Sequence, residues 1–215
     1  MSGVRTGWAA VLLLACSAAS AAGVFERPAD ARTLAQALGP ITAQLHSAQT
    51  LRGRYRQHKT LRELPRPLLA EGSFLFVRDR GIVWRTETPF ASELVITPDA
   101  LVQRQDGASQ RIGAETQPAI RMVGRIFFAV FSLDFSTLEG LFSLYGGALP
   151  QGGWALGMRP LQDGGSLREI EVQGAAQVQH VILREAGGDL TDIELLDVLA
   201  SPAPPTAADL APFAH

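Results

Sequence analysis

The chain has 215 residues, a formal net charge of −2, 47% hydrophobic and 19% charged residues, and a single cysteine. The near-zero charge lacks the basic footprint of a general nucleic-acid binder, and the hydrophobic content excludes a disordered chain. No internal repeat marks a helical solenoid, so one ordinary domain or two small ones must absorb a surplus of apolar residues.

Residues 1–22 read as a targeting leader. Arg5 supplies the positive start, Trp8 to Ala15 the apolar run, and the small residues from Ser17 to Ala22 a cleavage site near Ala21 or Ala22. The apolar run is shorter than the roughly 20 residues a spanning helix needs. Leu13-Leu14-Ala15-Cys16 resembles the lipobox of bacterial lipoproteins, although Leu14 fits it poorly. Two N-termini therefore stay open. With ordinary cleavage the only cysteine leaves, and disulfides, zinc thiolates and thiol catalysis leave with it. Arg5 leaves too, so the remaining charge is 18 − 21 = −3.

From Pro28 to about Ser47 the pattern is helical, with Asp30 as N-cap and Leu34, Leu38, Ile41 and Leu45 at spacings of three and four. Gly39-Pro40 is expected to kink or split this helix. The period then changes to two. Thr50–Leu61, Leu68–Arg78, Gly81–Glu87, Ser92–Thr97 and Leu101–Gln105 read as strands, and Arg78-Asp79-Arg80-Gly81 as a tight turn. Met122 to Phe135 is apolar on almost every face and predicts a helix around Ile120–Phe131, either buried in the core or acting as a lid.

A glycine-rich connector spans Gly146 to Gly153. Strand signals resume at Trp154–Arg159, Ser166–Gln173, Val178–Glu185 and Asp189–Leu199. Residues 201–215 carry four prolines and read as an extended or disordered tail. About nine strands in two blocks, with a helix before the first and one between them, predict a mainly β (α+β) fold. In it a large antiparallel sheet must curl or be covered.

The usual catalytic constellations are missing. There is no G-x-S-x-G, H-E-x-x-H, G-x-G-x-x-G or P-loop. His46, His58, His180 and His215 are isolated from one another, so no metal site and no cofactor is expected. Glu169 and Glu171 read as a solvated strand face, and Asp189, Asp192, Glu194 and Asp197 as the outer face of the last hairpin. Arg52, Arg54, Arg56 and His58 share one face of the first long strand. They form either a solvated face or a docking stripe for an acidic partner or anionic head groups, extended by Lys59, Arg62 and Arg66.

Tyr55-Arg56-Gln57, then Gly72-Ser73-Phe74-Leu75-Phe76-Val77-Arg78, a tight turn, Ile82-Val83-Trp84 and Pro89 together resemble the LolA-like family of periplasmic outer-membrane lipoprotein carriers. The layout is similar over about residues 30–200 and the motif is confined to 55–98. Asp79 departs from it, standing where the family commonly has proline.

The resemblance implies a curved antiparallel sheet forming an unclosed half-barrel over 28–200, with helices covering its concave face and an apolar cavity between. It implies a non-enzymatic, monomeric carrier in the periplasm that shields the acyl chains of a lipoprotein or lipid between an inner-membrane donor complex and an outer-membrane acceptor. Arg78 matches the arginine that holds the family's lid closed, and Trp84 matches the aromatic of the next strand. Phe74 and Phe76 line the cavity beside Arg78. Ile126, Phe127, Phe128, Val130 and Phe131 form the lid. Two alternatives remain within the same resemblance. One is an accessory factor of a glycolipid or aryl-polyene pigment pathway, and the other a membrane-anchored acceptor lipidated at Cys16.

Overall fold

The computed structural model describes residues 23–113, 124–129, 131, 134–150, 152–162 and 164–214, with the backbone alone over 40–46. The leader, Cys16 and Val130 lie outside the described residues.

Asp30 starts the first helix as expected, accepting from the Thr33 N–H at 2.6 Å. This bond also pulls the Asp30 carboxyl below its ordinary range. Glu139 takes the next free donor, the Ala31 N–H, at 3.0 Å. Helix α1 then runs as one unbroken element, Ala31–Ser47, through Gly39-Pro40. The helix is therefore not split there. Leu34 and Leu38 are fully buried on one face of α1, which is how the helix docks onto the sheet.

The strands form one twelve-stranded antiparallel sheet that does not close. Its order is β1 (Pro28–Ala29), β8 (Phe142–Ala148), β9 (Trp154–Pro160), β10 (Leu167–Gly174), β11 (Val178–Glu185), β12 (Leu190–Ser201), β2 (Thr50–Thr60), β3 (Leu68–Val77), β4 (Gly81–Thr88), β5 (Ser92–Ile96), β6 (Ala100–Gln105) and β7 (Ala108–Gly113). The two sequential blocks meet where β12 pairs with β2, Leu190 opposite Thr60 through Ser201 opposite Thr50. With its helices the sheet makes the unclosed half-barrel. The nine strands read from the sequence are all present. β1, β7 and β8 are additional.

Alternation along the strands sorts apolar residues onto two faces. The inner face carries Leu51, Tyr55, Phe74, Phe76, Ile82, Trp154, Leu156, Met158, Ile170 and Val172, packed with Leu34 and Leu38 of α1 and with Ala129, Phe131, Phe135 and Leu138. The residues described between β7 and β8 include a short helix, α2 (124–129), on this face. The outer face of β3–β6 has a smaller cluster, Leu75, Val77, Val83, Val95 and Val102, covered by Leu210 and Phe213.

The cover comes from the segment expected to be extended or disordered. Thr206 and Asp209 form a capping box around α3 (Ala207–Leu210), and Arg52 binds the Asp209 carboxylate at 2.9 Å. An apolar patch on β3–β6 gives the Pro-rich tail something to bury, which composition alone does not reveal.

Glu169 also departs from expectation. It is buried rather than solvated, because Arg159 binds it at 2.8 Å while its guanidinium lies 4.5 Å from the Phe25 ring centroid. The acids of the last hairpin are mixed. Asp192 contacts His180 and Glu194 contacts Arg56, both on the outer face.

Candidate ligand-binding site

Phe74 and Phe76 alternate onto the inner face of β3, and register sets Phe74 opposite Trp84 on β4. From above, α2 and Phe131 beyond its end bring three rings onto them. Phe131 lies 5.5 Å from Phe74 and 5.6 Å from Phe76, Phe128 lies 5.7 Å from Phe76, and Phe127 lies 6.4 Å from Trp84, all centroid to centroid. Phe127 and Phe131 stack on each other at 6.2 Å. These separations are those of favourable aromatic pairs. The structure therefore brings together every described aromatic singled out on the sheet and on the helix. Ile126 packs against the same cluster.

Tyr55, the tyrosine of the motif, is a further member of this cluster. Tyr55 on β2 stacks on Trp84 with centroids 4.0 Å apart, and its hydroxyl hydrogen-bonds Thr86 Oγ1 at 2.8 Å. To do so it reaches across β3, where its cross-strand partner is Gly72. A Cβ at Gly72 would stand 1.9 Å from the Arg85 carbonyl oxygen. The motif's tyrosine and tryptophan are thus one packing unit, and the glycine between them lets the β4 backbone approach β3. Gly53 does the same for Phe74, since a Cβ there would meet that ring at 2.7 Å. Burial pushes the Tyr55 hydroxyl above its ordinary pKa, with the bond to Thr86 opposing, so it stays neutral.

Burial is graded across this cluster. Phe74, Phe76 and Phe131 are 2–3% exposed, whereas Trp84, Phe127 and Phe128 are only partly buried. Beside it opens a cavity of about 1270 Å³ whose floor includes Phe76, Phe128, Ala129 and Phe135. That exceeds the ~300–1,000 Å³ of ordinary small-molecule pockets. Its mouth is polar, lined by Arg32, Arg78 and Arg125 and by the carboxylates Asp30, Asp79, Asp99, Asp134 and Glu139.

Arg78 stands at this mouth, at the end of β3. Its Nε donates to the Ala48 carbonyl at 2.7 Å and its backbone N–H to Gln49 at 2.9 Å. Both acceptors lie in the junction between α1 and β2, so the side chain ties the helical layer to the sheet edge. A guanidinium donating to a carbonyl in partly buried surroundings is a strong bond of its kind.

The arginine stripe is exposed on the outer face but not unpartnered. Arg52 binds Asp209, Arg54 lies 3.8 Å from Glu87, and Arg56 binds Glu71 at 2.9 Å and Glu194 at 3.4 Å. Among the described residues no cluster of three or more His, Cys, Asp or Glu is placed to hold a metal ion. No described helix is long and apolar enough to cross a membrane.

No family model and no curated protein matches the chain. Solved structures similar to it include a LolA superfamily protein from Nitrosomonas europaea, at 8% identity and TM-score 0.44, over 83% of this chain and 98% of that one. A putative outer membrane lipoprotein-sorting protein domain from Vibrio parahaemolyticus aligns at 8% identity and TM-score 0.47, over 85% and 98%. A DUF1329 family protein from Desulfovibrio piger aligns at 8% and 0.46, over 85% and 98%.

Proposed function

We propose that the chain is a periplasmic, non-enzymatic carrier that shields the acyl chains of a lipoprotein or lipid between the inner face of its sheet and α2. The observation that carries this reading is the graded aromatic cluster whose Phe76 and Phe128 line the 1270 Å³ cavity. Phe74, Phe76 and Phe131 are fully buried, and the partly buried Phe127 and Phe128 of α2 pack beside them. An acyl chain gains roughly 0.8 kcal/mol for each CH₂ taken out of water, so transport between membranes needs an apolar space of this kind. An empty carrier must also hide that space, because a contiguous exposed apolar patch drives association. Phe127 and Phe128 of α2, packed on Trp84 and Phe76, cover part of it.

Cargo arrives from an inner-membrane donor and leaves to an outer-membrane acceptor. Arg78 maintains the cover by holding the α1–β2 junction against the sheet. Carriage of this kind requires binding and release and no bond making.

The test is uptake of an environment-sensitive fluorescent fatty acid by the purified protein. Saturable uptake, displaced by phospholipid and weakened by Phe128→Ser, supports the reading. Uptake unchanged in that variant, or none, refutes it.

A further inference from the structure

Six large apolar side chains are exposed among the described residues, and four of them, Leu64, Leu68, Leu69 and Phe90, lie at one end of the sheet. Phe90 is 74% exposed and Leu69 56%. Leu68 and Leu69 begin β3 after the 61–67 loop, and Phe90 follows the end of β4. Glu71 pairs with Thr88 across β3 and β4, so the start of β3 and the end of β4 lie side by side at this end of the sheet. The two loops are therefore neighbours. None of the four residues belongs to either apolar cluster, so packing of the fold does not account for them. A lone exposed leucine is ordinary; four large apolar side chains at one end of the sheet, Leu68 and Leu69 alternating onto opposite faces of β3, make an apolar tip.

Charge selects the occupant. The 61–67 loop carries Arg62 and Arg66 against one carboxylate, Glu63. Among the described residues neither arginine side chain has an ion-pair partner. The surrounding carboxylates are engaged elsewhere. Glu71 binds Arg56, Glu87 lies by Arg54, Glu185 is 3.7 Å from Lys59, and Asp189 accepts the Arg62 backbone N–H at 2.9 Å. An apolar tip flanked by two unengaged guanidinium groups is complementary to an anionic bilayer surface, where rings and leucines enter the head-group boundary and cations meet phosphate oxygens. The cavity mouth, lined by Arg78, Asp79 and Asp99, is at the opposite end of these strands.

We infer that the 61–69 and 89–91 loops form a docking tip for anionic membranes, independent of what the cavity holds. Contact through this tip leaves the mouth turned away from the bilayer.

The experiment is co-sedimentation of the full chain, carrying Cys16→Ser so that no lipid is attached, with vesicles of phosphatidylcholine alone or mixed with phosphatidylglycerol. The protein is expected on the anionic vesicles, less so as salt is raised. Phe90→Ser with Leu69→Ser is expected to weaken partitioning about tenfold or more, the loss of two buried apolar side chains. Arg62→Glu with Arg66→Glu is expected to remove the preference for phosphatidylglycerol. All four positions are outside the core, so melting temperatures should stay unchanged. No binding, equal binding to both vesicle types, or unaltered binding by the first variant overturns the inference. So does concentration-dependent self-association that Phe90→Ser abolishes, which would assign the patch to a second copy of the chain.

Discussion

Gly72 is bare because the β4 backbone lies against it. Tyr55 crosses β3 to stack on Trp84 and bond Thr86, and the Arg85 carbonyl fills the space where a Cβ would stand. Gly72→Ala is therefore expected to cost about 1–3 kcal/mol or more, read as a fall in the urea midpoint, because backbone rather than a flexible side chain must give way. Arg78 is a second residue whose effect reaches beyond itself. Arg78→Leu leaves the Ala48 carbonyl without its 2.7 Å donor. The expected cost is about 1–3 kcal/mol, together with faster exchange of amides in the 47–50 junction. Arg78→Lys should recover part of it. Unchanged exchange in the leucine variant would remove the arginine's assigned role as a tie.

At the scale of elements, α2 is neither plain core nor plain surface. Phe131 is 3% exposed against Phe74 and Phe76, so Phe131→Ala should cost about 3–5 kcal/mol of stability. Phe127 is only partly buried against Trp84. Phe127→Ser should cost roughly 1–2 kcal/mol while weakening acyl-probe uptake about tenfold. A collapse of stability in both variants alike would make the helix ordinary core.

The C-terminal strap behaves differently. Arg52 and the Thr206 cap hold the Asp209 carboxyl down from 3.8 to about 2. The ionised group thus stabilises the folded chain above pH 3.8, and that contribution is lost as the pH falls through about 2. Denaturation midpoints of the parent chain should fall over this window relative to Asp209→Asn. Parallel curves would show that the strap does not depend on this carboxylate.

Much of this architecture was legible as period and punctuation. Alternation placed nine strands, and Asp30 marked the start of α1. The three missed strands have physical reasons. β1 has two residues, too few for any period, and β7 (Ala108–Gly113) is almost wholly exposed, so it lacks an apolar face to announce it. β8 contains Gly146 and Gly147, which read as a loop until pairing with β9 is seen. The helix survives Gly39-Pro40 because packing of Leu34 and Leu38 outweighs a local signal. That Phe74, Phe76 and Trp84 share the inner face was legible from alternation and motif. Tyr55's part was not, since a ring that reaches across a neighbouring strand shows only in cross-strand register.

For the whole molecule, the surplus of apolar residues divides into three. One part fills the inner face, a second lies under the strap on the outer face, and a third stands exposed at the loops around Leu69 and Phe90. Only the first adjoins a large cavity, and the carrier reading turns on what fills it. Native mass spectrometry of the protein isolated from its own cell envelope addresses that directly. The expected spectrum shows the chain with one acylated lipid or lipoprotein bound, and the Phe128→Ser chain largely free of it. A spectrum of the bare chain alone, from envelope-derived protein kept away from detergent, would contradict the account.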